Sequence, residues 1–280
     1  MLESELASHI RRNVANSLDE DIYTGDLSAQ LLPATLVSTA QLITRQHGVL
    51  CGTQWFDACF RMQDANCAIH WLAKDGELVS AGQTLCKVQG YARALLSAER
   101  NALNLLQTLS GTATRTKHYV DRVAGINVKI MDTRKTLPGL RQAQKYAVRV
   151  GGGHNQRFGL FDGILIKENH IAAAGGIKPV LEQAFRLAKP GTSVQIEVEN
   201  LVQLDEALNG GAKLILLDNF DLDGLRAAVQ HAGKRAELEA SGGITIENLR
   251  EVALTGVSRI SIGALTKDVE AFDLSMRFEQ

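Results

Sequence analysis

From about residue 127 onward, short apolar runs rich in β-branched residues alternate with amphipathic stretches. Six runs are strand-like: Asn127–Thr133, Gly163–Lys167, Ser193–Glu199, Ala212–Asp218, Ala236–Gly243 and Arg259–Leu265. Between them lie five stretches whose apolar residues recur at the helical spacing of three and four: 139–150, 177–189, 201–210, 221–233 and 246–256. The alternation predicts a parallel sheet covered by helices.

Five of the predicted strands end in polar or glycine residues: Asp132-Thr133, Lys167-Glu168, Glu197 with Glu199, Asp218-Asn219 and Ser241-Gly242-Gly243. In a closed barrel these ends meet at one mouth, where active sites are built. An open doubly wound sheet is the alternative, and it would spread the ends along an edge. Because six strands fall short of the eight in a regular barrel, we expect an α/β fold with an incomplete α/β barrel of about six parallel strands.

The first part of the chain has a different pattern. Strand-like stretches over 36–52 and 68–90 precede a helix predicted from Tyr91 to Leu109, which is typical of a separate α+β domain. At the other end, Leu274, Met276 and Phe278 alternate with polar residues, which is the strand period. We therefore expect an N-terminal α+β sandwich domain over 1–110, joined by a C-terminal strand within 271–280, and a barrel domain over 111–270.

Composition excludes several classes of protein. The chain is 45 % hydrophobic and 22 % charged with a net charge of −1, so it offers no overall charge for nucleic acid or an anionic membrane. No apolar run approaches the ~20 residues of a membrane span, and the first residues do not resemble a secretory signal, so a cytoplasmic enzyme is expected. The four cysteines all lie in the first third without metal-ligand spacing and are expected to be buried, reduced thiols: Cys51, Cys59, Cys67 and Cys86.

Positive charge is concentrated between Lys129 and Lys167, where eight Lys or Arg face only two acids. Lys145 and Arg149 are four apart on a predicted helix, so we interpret them as a solvated helix face. Four others lie at strand ends or beside the triple glycine 151–153 and are predicted to collect an anion at the barrel mouth: Arg134, Lys135, Arg157 and Lys167. The glycines suit a backbone that approaches a ligand, although a flexible connection is the alternative.

Later strands end in carboxylates and then in glycines. Glu197 and Asp218 are oxygen ligands suited to Mg²⁺ and ribose hydroxyls, although they could equally be ordinary partners of nearby Lys and Arg. Ser241-Gly242-Gly243 leads from a strand into a helix, and Gly263-Ala264 ends the next strand. Backbone N–H groups at such positions bind phosphate, and barrels often place a phosphate site at their last two strands.

These motifs together resemble the quinolinate phosphoribosyltransferase family over roughly residues 90 to 278. The specific part is D-T-R-K-T over 132–136 with P-G-L-R over 138–141, followed by K-E-N-H over 167–170. The resemblance implies decarboxylating transfer of phosphoribose from phosphoribosyl pyrophosphate to quinolinate, which gives nicotinate mononucleotide, pyrophosphate and CO2. It also implies Mg²⁺ and a homodimer, in which the N-terminal domain of one subunit closes the barrel mouth of the other.

The resemblance also implies roles for individual residues. Quinolinate carboxylates and nearby phosphates would be held by Thr133, Arg134, Lys135, Arg157 and Lys167. Glu197 and Asp218 would hold ribose hydroxyls and Mg²⁺, and with Lys135 they form the expected catalytic set. Phosphate would be received by Ser241, Gly242, Gly243, Ile262, Gly263 and Ala264. Arg100 matches the family arginine that reaches across the dimer.

One position departs from the family pattern, and three rival functions stay open. The family often has His before the arginine at 157, but Gln156 stands here, and an amide cannot carry positive charge. The rivals are a nicotinate or nicotinamide phosphoribosyltransferase, a Schiff-base aldolase barrel that uses Lys167, and a phosphosugar-binding protein without catalysis.

Overall fold

A computed structural model of the protein describes residues 3–279. The first half contains α1 (Glu3–Ile22), a 3₁₀ turn (Ala29–Leu31), β1 (Val37–Thr44), β2 (Gly48–Val49), α2 (Thr53–Gln63), β3 (Ala68–Trp71), β4 (Leu78–Val79), β5 (Thr84–Tyr91) and α3 (Ala92–Arg122). The second half begins with β6 (Lys129–Met131), α4 (Arg141–Val150), β7 (Gly163–Ile166), α5 (Glu168–Ala174), α6 (Ile177–Leu187) and β8 (Ser193–Val198). It continues with α7 (Leu201–Asn209), β9 (Leu214–Asp218), α8 (Leu222–Ala232), β10 (Glu237–Ser241), α9 (Leu249–Ala253), β11 (Arg259–Ser261), α10 (Ala264–Lys267) and β12 (Leu274–Phe278).

These elements form two compact units. The first contains residues 3–117, 136–152 and 268–279, and the second contains residues 118–135 and 153–267. The helix predicted to end at Leu109 continues to Arg122, because apolar residues such as Ala113 and Tyr119 prolong its buried stripe.

The first unit is built on a four-stranded sheet with the order β12-β1-β5-β3. The alternating C-terminal segment forms β12, which pairs antiparallel with β1. Trp55, Phe56 and Phe60 of α2 are fully buried in its core. The four cysteines are free and buried as predicted, and burial raises the pKa of the Cys59 thiol to about 12.

Helix α4 packs in the first unit. Its position in the chain, between two barrel strands, had predicted that it would pack on the barrel. Ala143 and Ala147 belong to the core of that unit, and α4 contacts α1. The expectation that Lys145 lies on a solvated face is wrong, since its side chain is fully buried, whereas Arg149 is exposed. Apolar spacing identifies the buried face of a helix but not the element against which that face packs.

The second unit is a six-stranded, all-parallel sheet with the order β6-β11-β10-β9-β8-β7. From β8 to β11 each strand lies beside its predecessor in the chain, and β6 lies beside β11. In a doubly wound sheet the strand order would reverse at a switch point in the middle of the sheet. The order observed here is that of a barrel opened between β6 and β7. The incomplete barrel of six strands is therefore confirmed, and the doubly wound alternative is wrong.

The segment 154–157, which follows the triple glycine 151–153, lies in the opening of the barrel between β6 and β7. His154 forms a parallel bridge with Met131 at the end of β6, and the His154 N–H donates to the Ile130 carbonyl at 2.8 Å. On the other side, Arg157 Nη1 donates to the carbonyl of Gly163, the first residue of β7, at 3.0 Å. Residues 154–157 therefore link the two edge strands, and they carry Arg157 into the barrel.

Packing of α6 gives a test of the barrel. Leu181 is fully buried and Leu187, in the last turn of the same helix, is 65 % exposed. Leu181→Ala should lower the free energy of unfolding by about 2–5 kcal/mol because it leaves a cavity. Leu187→Ala is the matched control and should change it by less than about 0.5 kcal/mol. Urea unfolding followed by circular dichroism measures both; equal effects would contradict the described packing.

Candidate functional site

A cavity of about 310 Å³ opens at the carboxyl ends of the barrel strands. It is lined by Thr133, Arg134, Lys135, Gln156, Arg157, Leu165, Lys167, Glu197, Leu216, Asp218, Glu239, Ser241 and Ser261. All of these residues belong to the second unit. The structure therefore gathers at one mouth the four cations and both carboxylates that the sequence singled out.

The turn after β6 holds Lys135 by its main chain. The Lys135 N–H donates to Thr133 Oγ1 at 3.0 Å, and the Lys135 carbonyl accepts from the hydroxyl of the buried Thr266 at 2.7 Å. A side chain on Gly263 would meet the Lys135 stem at 3.2 Å, so glycine there lets the lysine pass close to the backbone. Lys135 is thus directed by contacts from β6 and from the start of α10.

Arg134 and Arg157 lie close enough to repel each other. Burial, and then the positive charge of Arg134, lower the pKa of Arg157. Two guanidinium groups that line one cavity favour an anion there, because the anion relieves their repulsion and accepts paired hydrogen bonds. This side of the cavity is suited to carboxylate or phosphate groups.

The opposite side carries the acids. Lys167 Nζ lies 2.7 Å from Glu197 Oε2, and the Glu197 side chain is only 12 % exposed. Asp218 ends β9, and its Oδ2 accepts from Asn219 Nδ2 at 2.8 Å. Glu197 is therefore an ion-pair partner of a nearby lysine, which was the alternative to a ligand-binding role. Asp218 is held by a neutral amide.

The loop after β10 needs glycine. Gly242 has φ +98°, and a side chain there would lie 2.1 Å from Asn219 Oδ1. Gly243 also has a left-handed backbone, with φ +58°. The Asn219 N–H donates to the Ser241 carbonyl at 2.9 Å, so the ends of β9 and β10 are joined where Ser241 enters the cavity.

Some predicted residues lie outside the cavity lining. Ile262 is 1 % exposed and its N–H donates to the Met131 carbonyl, so this N–H serves the sheet and is not presented to a phosphate. Ala264 begins α10 beside Gly263. Arg100 is exposed on α3 in the first unit, and among the described residues it is not part of this lining.

The polar floor of the cavity is not predicted by the sequence pattern, in which Gln156 stands out only as a departure from the family. Glu239 and Ser261 also line this floor, and Gln195 contacts Gln156 and Glu239 without lining it. Glu239 is fully buried, and Gln195 and Ser261 are buried to more than nine-tenths. A signal was present, because Glu237, Glu239 and Ser241 alternate along one strand and so place polar side chains on one face.

The carboxylates of the cavity are the candidate metal ligands. Within residues 3–279 no group of three or more His, Cys, Asp or Glu side chains is arranged to hold a metal ion. Mg²⁺ usually keeps several waters and binds one or two carboxylates together with substrate phosphates. Glu197 and Asp218, which line one cavity, fit that mode of binding.

Two family models match this chain. One is described as "Quinolinate phosphoribosyl transferase, N-terminal domain" and matches residues 21–110; the other is its C-terminal domain and matches residues 112–277. The matches together cover most of the chain and both of the units described above.

Individual relatives agree with the family models. The nicotinate-nucleotide pyrophosphorylase [carboxylating] of Mycobacterium leprae is 43 % identical over 275 residues, covering 95 % of this chain and 96 % of the relative. A mitochondrial quinolinate phosphoribosyltransferase [decarboxylating] of Nicotiana tabacum is 36 % identical, covering 91 % of this chain and 78 % of the relative. The solved structure of the nicotinate-nucleotide pyrophosphorylase from Francisella tularensis superposes with a TM-score of 0.94 at 43 % identity, covering 98 % and 97 % of the two chains. The chain therefore belongs to the quinolinate phosphoribosyltransferase family.

Proposed function

We propose that this chain transfers phosphoribose from phosphoribosyl pyrophosphate to quinolinate with loss of CO2, which gives nicotinate mononucleotide and pyrophosphate in NAD biosynthesis. The observation that carries the proposal is one cavity lined by four cations and two carboxylates: Arg134, Lys135, Arg157, Lys167, Glu197 and Asp218. The names of the relatives describe this reaction in its two directions, decarboxylating and carboxylating.

The cations bring together two substrates that repel each other. Quinolinate carries two carboxylates, and the sugar donor carries a phosphate and a pyrophosphate. Arg134 and Arg157 line the same cavity and repel each other, so a dianion bound there relieves their repulsion, and Lys135 adds a positive charge from the turn after β6. When both reactants are held in contact, their translational and rotational entropy is lost on binding and no longer adds to the barrier of the reaction. Holding them is the main task of this site.

The carboxylates serve the sugar. Glu197 and Asp218 accept hydrogen bonds from the ribose hydroxyls. Their negative charge stabilises the positive charge that develops on the sugar ring as the bond between the anomeric carbon and pyrophosphate breaks. The same two residues would hold Mg²⁺, which when bound neutralises charge on the pyrophosphate. Lys167 balances Glu197 at 2.7 Å, so this acid can face the cavity without adding a bare negative charge next to the phosphates.

The reaction then follows from the substrate chemistry. The pyridine nitrogen forms a bond to the anomeric carbon while the bond from that carbon to pyrophosphate breaks. The ring nitrogen becomes positively charged and draws electrons. The bond to the carboxylate beside the nitrogen then breaks, CO2 leaves, and the ring carbon takes up a proton. Lys135 and the arginines hold the second carboxylate, which stays on the product.

The proposal includes the assembly and the cell compartment. In a homodimer with shared sites, Arg100 of one subunit would reach the cavity of the other and bind an anionic substrate. Its exposure on α3 in the first unit supports this role.

Among the described residues no helix has the length and apolarity to cross a membrane. A cytoplasmic location is part of the proposal, and the net charge of −1 gives no reason to expect a nucleic-acid partner.

Product analysis tests the reaction against its rivals. The purified chain incubated with quinolinate, phosphoribosyl pyrophosphate and Mg²⁺ should release pyrophosphate and CO2 in equal amounts, and omission of Mg²⁺ should suppress both. A nicotinate or nicotinamide phosphoribosyltransferase would release pyrophosphate with its own substrate and no CO2. Borohydride trapping of substrate on Lys167 would indicate a Schiff-base aldolase, and binding of the sugar donor without turnover would indicate a binding protein.

The cation set is tested by substitution after β6. Arg134→Ala and Lys135→Ala should each lower kcat/KM by about 100-fold or more, since they remove charge that faces the transferred groups. Lys129→Ala, at the exposed start of the same strand, is the matched control and should stay within about twofold. Circular dichroism checks that the fold is retained. Normal turnover in either cavity variant would remove the assigned roles.

Sharing of sites between subunits is tested by mixing inactive variants. Arg100→Ala and Lys135→Ala are refolded together; if the arginine acts across a two-fold dimer, mixed dimers regain one intact site and about a quarter of the wild-type activity returns. A mixture of Arg134→Ala with Lys135→Ala is the control, because both changes lie in one cavity and no intact site can form. No recovery in the first mixture would exclude the shared site.

A further inference from the structure

Glu239 is a fully buried carboxylate at the floor of the cavity, on β10. It accepts from three side chains of different segments. Gln156 Nε2 lies 2.5 and 2.6 Å from its two oxygens, Gln195 Nε2 of β8 lies 3.0 Å away, and the hydroxyl of Ser261 at the end of β11 also donates to it. Glu239 therefore joins two strands to the segment that fills the barrel opening.

All three donors are neutral, and this fixes their orientation. An ionised carboxylate only accepts hydrogen bonds, whereas a glutamine amide has one donating and one accepting end that can be exchanged by rotation. Glu239 requires the amino ends of both Gln156 and Gln195 to face it. The remaining contact agrees, because Gln156 Nε2 also donates to Gln195 Oε1 at 3.1 Å.

The main chain of residue 156 is fixed as well. Its N–H donates at 2.8 Å to Oδ1 of Asp132, which is fully buried and directly precedes the cation-bearing turn. Gln156 lines the cavity, and the next residue, Arg157, supplies one of its cations. A change in the orientation of the Gln156 amide would therefore alter the floor beside Arg157.

We propose that Glu239 is a positioning residue for the pyridine substrate: it sets which end of the Gln156 amide faces the cavity and so shapes the seat of quinolinate beside Arg157. The proposal rests on the proposed function. The acids that serve the ribose, Glu197 and Asp218, lie on other strands and make no hydrogen bond to Glu239 among those described. Ser241, which is expected to receive phosphate, follows Glu239 on the same strand but makes none of its described hydrogen bonds. We therefore expect the effect at the pyridine substrate.

The test uses Glu239→Gln, which keeps the shape of the side chain but presents an amino group to the amino ends of two glutamines. One or more amides must rotate. KM for quinolinate should rise about tenfold, as expected when one hydrogen bond to a charged partner is lost or reversed. KM for phosphoribosyl pyrophosphate should stay within about twofold. Glu237→Gln is the matched control, on the same strand and face but exposed and paired with Arg259, and should leave both constants unchanged.

A second variant covers the case in which Glu239→Gln does not fold. Gln195→Met removes an amide that touches both Glu239 and Gln156 without lining the cavity itself. It should raise KM for quinolinate severalfold with the same selectivity. If KM for both substrates changes equally in these variants, or if neither changes, Glu239 has no positioning role.

A spectroscopic measurement separates this inference from the reaction. In Gln156→His, the Glu239 carboxylate should raise the pKa of the introduced imidazole and the cations of the same cavity, Arg157 first, should lower it; NMR titration measures the resulting pKa. Adding Glu239→Gln should lower that pKa by about one unit or more, with Arg157 present in both variants. Equal values would overturn the proposal. If the wild type releases no CO2 from quinolinate, the proposed function fails, and the titration still reports whether Glu239 controls residue 156.

Discussion

The buried carboxylate of Asp132 holds the site together. It accepts hydrogen bonds from Asn155 Nδ2 at 2.5 Å and from the Gln156 N–H at 2.8 Å. The backbone N–H of Asp132 donates to the His154 carbonyl at 3.0 Å. One residue thus fastens the segment across the barrel opening to the end of β6. Arg157 follows that segment, and Arg134 and Lys135 follow Asp132, so both groups of cations depend on this contact.

Such an arrangement is needed because the cations oppose one another. Burial, and then the positive charge of Arg134, lower the pKa of Arg157, and the second effect is a repulsion between the two charges. Flexible loops would relieve the repulsion by moving apart. Asp132 and Glu239 oppose this movement, because they accept hydrogen bonds from the Asn155 and Gln156 amides beside the cations. Because the segments that carry the cations are held in this way, little reorganisation is needed when an anion enters.

Local pattern predicted the barrel and the cavity side chains but not every packing partner. Strand periodicity located all six strands, and strand ends indicated Lys167, Glu197 and Asp218, because parallel strands present their carboxyl ends at one edge. The same approach placed α4 on the barrel and Lys145 in solvent, since periodicity does not specify what a buried face contacts. Ile262 was expected to receive phosphate, yet its N–H pairs with Met131, a bond that depends on register and is invisible in the sequence.

The polar floor explains how a small barrel leaves room for substrates. In a regular barrel the interior is filled by layers of bulky branched side chains. Here Leu165 and Leu216 line the cavity together with the polar Glu239 of β10 and Ser261 of β11, and Gln195 of β8 donates to Glu239. A buried polar group without a partner costs about 1–3 kcal/mol, so this layer is stable only as a connected network. The interactions that keep the floor polar therefore also fix Gln156, and through it the side of the cavity that carries Arg157.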